Sequence, residues 1–120
     1  MAAVALPASR AGRTLAGRLL QQPHTIEKTV TAFKYGFDPA LIEVQQGDIL
    51  KITLQTRDIA HSFTIDEPYR IAKRANPGHP VTFEFRADKA GTFTYYCNIT
   101  TDEGCRQMKG QLVVHPARVP

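Results

Sequence analysis

Between residues 26 and 115 the sequence is a series of short apolar alternations, each closed by a turn signal, and this pattern admits little besides strands. Leu50, Ile52 and Leu54 repeat at a period of two, with Lys51, Thr53 and Gln55 between them. Side chains on a strand point alternately to opposite faces, so this run reads as a half-buried antiparallel strand. Val81, Phe83 and Phe85 alternate in the same way with Thr82, Glu84 and Arg86. Ile42 and Val44 share one face of a short strand that ends at Gly47 and Asp48, and the run from Glu27 to Tyr35 stops at the Gly36–Pro39 break. After a turn at residues 87–91, Phe93, Tyr95 and Cys97 fall on one face of the next strand. A closing strand from Gln111 to His115 turns Leu112 and Val114 inward. About seven strands in roughly 90 residues predict an all-β sandwich of two sheets. No internal repeat and no low-complexity segment interrupts it.

A chain of 120 residues suits one domain, and 42% hydrophobic with 22% charged residues is ordinary for a globular protein. A core of this size stands without disulfide staples, so its two cysteines call for a local explanation. No uncharged stretch approaches the length of a membrane span. Residues 1–25 read as an irregular or weakly helical leader and residues 26–120 as the folded domain. The leader holds Arg10, Arg13 and Arg18 and no acidic residue before Glu27, a composition loosely like a transit peptide or the remnant of an export signal. These arginines supply most of the net charge of +4, and the rest of the chain is close to neutral. No basic cluster interleaved with aromatics is present, which argues against a nucleic-acid partner.

Four soft or borderline ligands are placed for convergence. His61 follows a turn at Arg57–Asp58 and opens a strand; Cys97 ends a strand; Cys105 and Met108 follow within one short loop. A rigid scaffold that gathers such side chains at one end suits a metal of fixed geometry. Thiolate and thioether together favour copper, whereas zinc gains little from a thioether, and calcium or magnesium would need oxygens that do not converge here. The bland readings are specific too. Cys97 and Cys105 alone suit a disulfide of an exported protein, Met108 alone suits a core position, and His61 alone suits a surface or capping histidine. A disulfide and a metal site are also compatible in time, since oxidation would eject the ion and reduction restore the site. Asp102 and Glu103 read as solvated turn residues, with Glu103 a fallback ligand, and His79 reads as a loop residue. Strand phase puts Tyr95 in the core and leaves Tyr96 to shield the metal or guide electrons.

The stretch Asp58-Ile59-Ala60-His61-Ser62-Phe63 resembles the histidine-bearing motif of the dinuclear copper (CuA) domain of cytochrome c oxidase subunit II, within the cupredoxin family. Pro77-Gly78, the run Phe83–Phe85 and residues 87–93 continue the similarity towards Cys97, so that it spans about residues 31–115. The family's loop carries a first Cys, a second Cys four residues on, a His eight on and a Met eleven on. Those offsets fall here on Cys97, Thr101, Cys105 and Met108. The resemblance therefore implies a cupredoxin-like Greek-key sandwich whose metal ligands are His61, Cys97, Cys105 and Met108. Thr101 replaces the second bridging cysteine, which removes the two-sulfur bridge of a dinuclear centre, and Cys105 replaces the second histidine. The implied site holds one copper ion with one imidazole, two thiolates and one thioether.

The expected function is electron transfer with a redox partner protein, with a Cu(I) carrier serving a copper donor or acceptor as the alternative. A metal-free interaction module with a Cys97–Cys105 disulfide is the second alternative, because fold alone does not choose among the three. Four protein ligands leave no open coordination position, and no Ser–His–Asp order or phosphate-cradling glycine loop is present, so no catalysis is expected. The family further implies a periplasmic, exported or membrane-associated location, with a missing or cleaved N-terminal anchor as the route to the membrane; a monomer is expected. Exchanging an imidazole for a second thiolate adds donation to Cu(II). A redox titration of the copper-loaded protein is therefore expected to give a potential below that of ordinary blue-copper sites, and a higher one would contradict the two-thiolate set.

Overall fold

The computed structural model describes residues 24–117, so the leader expected over residues 1–25 lies almost wholly outside the described residues. Nine strands form: β1 (Thr25–Phe33), β2 (Gly36–Asp38), β3 (Leu41–Gln45), β4 (Ile49–Thr56), β5 (His61–Ile65), β6 (Ile71–Ala75), β7 (Val81–Arg86), β8 (Gly91–Tyr96) and β9 (Lys109–His115). A 3-10 turn, Glu103–Gln107, lies between β8 and β9. One sheet runs β2-β1-β4-β7 and the other β3-β9-β8-β5-β6, and their inner faces enclose the core of a β-sandwich.

The period-two runs land as expected. Leu50, Ile52 and Leu54 are fully buried, and Ile42 and Val44 on β3 and Leu112 and Val114 on β9 are buried with them. The two strands beyond the expected seven or so are those with no apolar alternation to announce them. β2 has only three residues, and β6 exposes Ala72, Lys73 and Arg74 at its centre as an edge strand. β5 is buried along its whole length, on both faces, so alternation is invisible there too. The expected antiparallel setting of β4 holds against β7 only. On its other side β4 runs parallel to β1, with Val30 opposite Leu54. Burial pattern specifies the inward face of a strand, not the direction of its neighbour.

Aromatic rings join the layers. Phe63 on β5 stacks on Tyr95 of β8 at 4.7 Å between centroids, and Phe37 meets both rings edge-on. The Tyr95 hydroxyl is deep enough to need a partner and donates to the Pro39 carbonyl at 2.7 Å. Burial pushes this phenol well above its ordinary pKa. Gly110 on β9 lies opposite Tyr95, and a Cβ at that position would stand 2.1 Å from the ring. Gly47, with φ +97°, makes the turn into β4, where the Asp48 carboxylate accepts from the Gln45 amide at 3.0 Å.

The pairing directions bring four connections to one pole: the Lys34–Tyr35 turn, residues 57–60, residues 76–80 and residues 97–108. Gly110→Ala is expected to overpack the Tyr95 side of the core and to cost about 1–3 kcal/mol of stability. Urea unfolding, read as a lower midpoint at unchanged slope, measures it.

Candidate metal centre

All four predicted ligand residues lie at this pole, and each is buried. β5 presents His61 as its first residue, paired with Ala75 of the edge strand β6. The imidazole Nε2 lies 2.8 Å from Asp58 Oδ1. The same carboxylate accepts from the backbone amides of Ile59 at 2.7 Å and Lys34 at 2.8 Å. Burial raises the Asp58 pKa, but the hydrogen bonds from His61, Lys34 and Ile59 outweigh it and hold the carboxyl below its ordinary value. A carboxylate on Nε2 fixes the ring and assigns the proton there, which leaves Nδ1 with a free lone pair. That Nδ1 is the one buried side-chain nitrogen or oxygen among the described residues with no hydrogen-bond partner.

The sulfurs stand close by. The Ser62 amide, next in chain to His61, donates to Cys97 Sγ at 3.3 Å, and the Ile99 amide donates to Cys105 Sγ at 3.2 Å. Cys97 and Cys105 are joined as a disulfide, with Cα atoms 5.1 Å apart. Neither sulfur is therefore a thiolate in this form, and the expected set of one imidazole, two thiolates and a thioether requires reduction first. No group of three His, Cys, Asp or Glu side chains arranged to hold a metal is present among the described residues. Met108 follows the 3-10 turn, fully buried, with its amide donating to the Cys105 carbonyl at 3.1 Å.

The rest of the loop is organised around these residues. Asp102 caps the 3-10 turn by accepting from the Gly104 amide at 3.0 Å, so it is not the freely solvated residue expected; Glu103 is exposed. Thr101 and His79 are exposed as well. Tyr96 turns to the outer sheet face, where its hydroxyl donates to Asp66 Oδ1 at 2.7 Å, and so does not shield the sulfurs as expected. Its phenol is raised by the bond to Asp66, with a smaller contribution from burial.

A family model described as the cupredoxin-like domain matches residues 2–114. The chain belongs to the cupredoxin-like domain family. This cupredoxin is 29% identical over 92 residues to cytochrome c oxidase subunit 2 of Thermus thermophilus, covering 77% of its own length and 67% of that protein's. Against the same subunit from a second strain of that organism, also at 29% identity, it spans 54% of the relative's length. Among solved structures it superposes on a chain of a heme-copper terminal oxidase dimer with a TM-score of 0.70 at 21% identity, over 77% of this chain and 65% of that one. Auracyanin A, a "blue" copper protein from Chloroflexus aurantiacus, matches with a TM-score of 0.66 at 18% identity, over 76% of this chain and 99% of that one. At these identities the superpositions speak for the fold.

Fit to copper rests on the residues themselves. An orphaned, oriented imidazole nitrogen, two cysteine sulfurs that accept amide hydrogen bonds and a buried thioether at the same pole have the softness copper takes once the disulfide is reduced. Three residues that shape the site are not marked as such by sequence reasoning. Asp58 stands within the quoted motif, three residues before His61, and that spacing is its signal. Ser62 and Asn98 give none, because their pairing crosses strands. The Asn98 amide donates to Ser62 Oγ at 2.7 Å, and that hydroxyl donates to Asn98 Oδ1, also at 2.7 Å. Ser62→Ala is expected to hand the Asn98 groups to water and to cost about 0.5–1.5 kcal/mol, measurable by urea unfolding of the oxidised protein.

Proposed function

We propose that the reduced protein binds a single copper ion through His61, Cys97, Cys105 and Met108 and serves in electron transfer. The observation that carries this reading is the buried His61 Nδ1, held without a hydrogen-bond partner on the residue next to Ser62, whose amide binds Cys97 Sγ. Copper would supply the exchange of one electron; the chain supplies the rest. Asp58 orients the imidazole, the Ser62 and Ile99 amides stabilise charge on the two sulfurs, and the sandwich limits rearrangement of the ligand backbones. With four protein donors no position is left for a substrate, so the protein is not an enzyme in this reading.

The disulfide favours a second reading, in which the protein carries Cu(I) and releases it when the cysteines are oxidised. The two readings part on Cu(II): electron transfer requires a stable coloured Cu(II) form that reduces reversibly, whereas a carrier rejects or reduces it. A disulfide also suits an oxidising compartment, which supports an exported or membrane-associated location and a partner there, either a redox protein or a copper donor. No helix among the described residues is long and apolar enough to cross a membrane.

The test begins with reduction by a dithiol, removal of the reductant without air, and titration with copper. One ion per chain is expected for the reduced protein and none for the oxidised one. In the Cu(II) form, Cys105→Ser and Cys105→His are both expected to change the sulfur-to-copper charge-transfer bands. Asp58→Asn is expected to weaken binding about 10- to 100-fold through loss of the imidazole's orientation. Failure of the reduced protein to bind copper would leave the metal-free, disulfide-bridged interaction module as the reading.

A further inference from the structure

The Lys34–Tyr35 turn touches both arms of the candidate centre. On one side the Lys34 amide donates to Asp58 Oδ2 at 2.8 Å, and Asp58 holds the His61 ring. On the other side the Tyr35 ring lies flat against Gly104: a Cβ on that glycine would stand 2.3 Å from two of the ring carbons. Gly104 directly precedes Cys105, in the 3-10 turn that carries it. The need for glycine at 104 thus comes from the ring above it and not from backbone conformation, since Gly104 is not among the glycines of positive φ. The fit is unusual for a residue this exposed. Tyr35 keeps 45% of its surface accessible, while Cys97 and Cys105 keep 1% each. Partial burial and then the Asp102 carboxylate, with a smaller push from Asp58, raise the phenol above its ordinary value.

We propose that Tyr35 is a latch on the 3-10 turn, a positioning residue for Cys105 whose departure from Gly104 is what admits a thiol reductant to the Cys97–Cys105 disulfide. The turn is short, and the Asp102 side chain caps only its Gly104 amide, so the ring adds a tertiary contact to the disulfide and the Ile99–Cys105 bond that hold it. With the ring lifted, an external thiolate bonds to Cys105 Sγ and the Cys97 sulfur leaves as a thiolate. A second thiol of the same reductant then attacks its own sulfur in the mixed disulfide. Cys105 is released as a thiolate, two electrons have passed to the protein, and the reductant departs as a disulfide. The inference rests on Cys97–Cys105 as the working sulfur pair of the site. Its test contains no copper, so its outcome is separate from that of the copper titration.

The experiment follows reduction of the native protein by dithiothreitol without denaturant, with the freed thiols trapped and counted against time. Tyr35→Ala is expected to accelerate reduction at least tenfold, and Tyr35→Phe, which keeps the ring on Gly104, to stay within about threefold of the parent rate. Gly104→Ala pushes the ring away from the other side and is expected to match Tyr35→Ala, with no further gain in the double variant. The same rates measured at low urea separate local opening from unfolding. A latch gives acceleration nearly independent of urea, whereas acceleration that rises with the slope of global unfolding overturns the proposal. Parent-like rates in both Tyr35→Ala and Gly104→Ala overturn it as well. If Tyr35→Ala fails to fold, the rate of Gly104→Ala and its urea dependence decide in the same way.

Discussion

The stacking of Phe63 on Tyr95 ties the core of this molecule to its candidate site. The two rings belong to neighbouring strands of one sheet and project into the space between sheets, where Phe37 and Phe83 close around them. Burying large rings is the main favourable term available to a domain of this size, and it is realised only if β5 and β8 keep their register. That register has a consequence at the pole. His61 lies two residues before Phe63, and Cys97 two residues after Tyr95, so both face the same interior. Core packing and placement of the first two candidate ligands are thus one constraint.

From that point outward the site is built by hydrogen bonds. The β5 and β8 backbones are tied at their ends by the Ser62 amide on Cys97 Sγ and by the reciprocal Ser62–Asn98 pair. The Asn98–Met108 connection then returns to the same place: the Ile99 amide reaches Cys105 Sγ, and Asp102 caps the turn that brings Cys105 round. In the proposed reading a disulfide and a metal set compete for the same two sulfurs. The amides that steady the oxidised sulfurs are placed to steady thiolates, and the buried His61 Nδ1 is unpartnered in the oxidised form. In that reading the chemistry of this cupredoxin-like domain is set by the oxidation state of two cysteines.

Much of the fold was legible beforehand, for a physical reason. A strand with one buried face writes its period into the sequence, and β4, β7 and β9 did so clearly. β5 and β6 were not legible in that way. β5 is covered on both faces, so its residues show no alternation, and β6 is an edge whose exposed Lys73 and Arg74 read as loop. The sandwich, its cupredoxin-like character and the likeness to cytochrome c oxidase subunit 2 all followed from residue pattern and motif. The direction of β4 against β1 did not, because it depends on how the chain crosses between sheets.

By itself, the sequence determined the candidate donors and their chemical softness: one imidazole at 61, sulfur at 97, 105 and 108, and threonine at 101 where a second bridging cysteine would stand. Those are properties of side chains and of spacing along one loop. Tertiary structure decided the rest. It joined Cys97 to Cys105, gave one nitrogen of His61 a carboxylate and left the other bare, turned Tyr96 away, and laid Tyr35 on Gly104. The last two join residues far apart in the chain, and even the short Asp58–His61 and Cys97–Cys105 links take their geometry from strands whose positions are fixed only when two sheets close on a shared core.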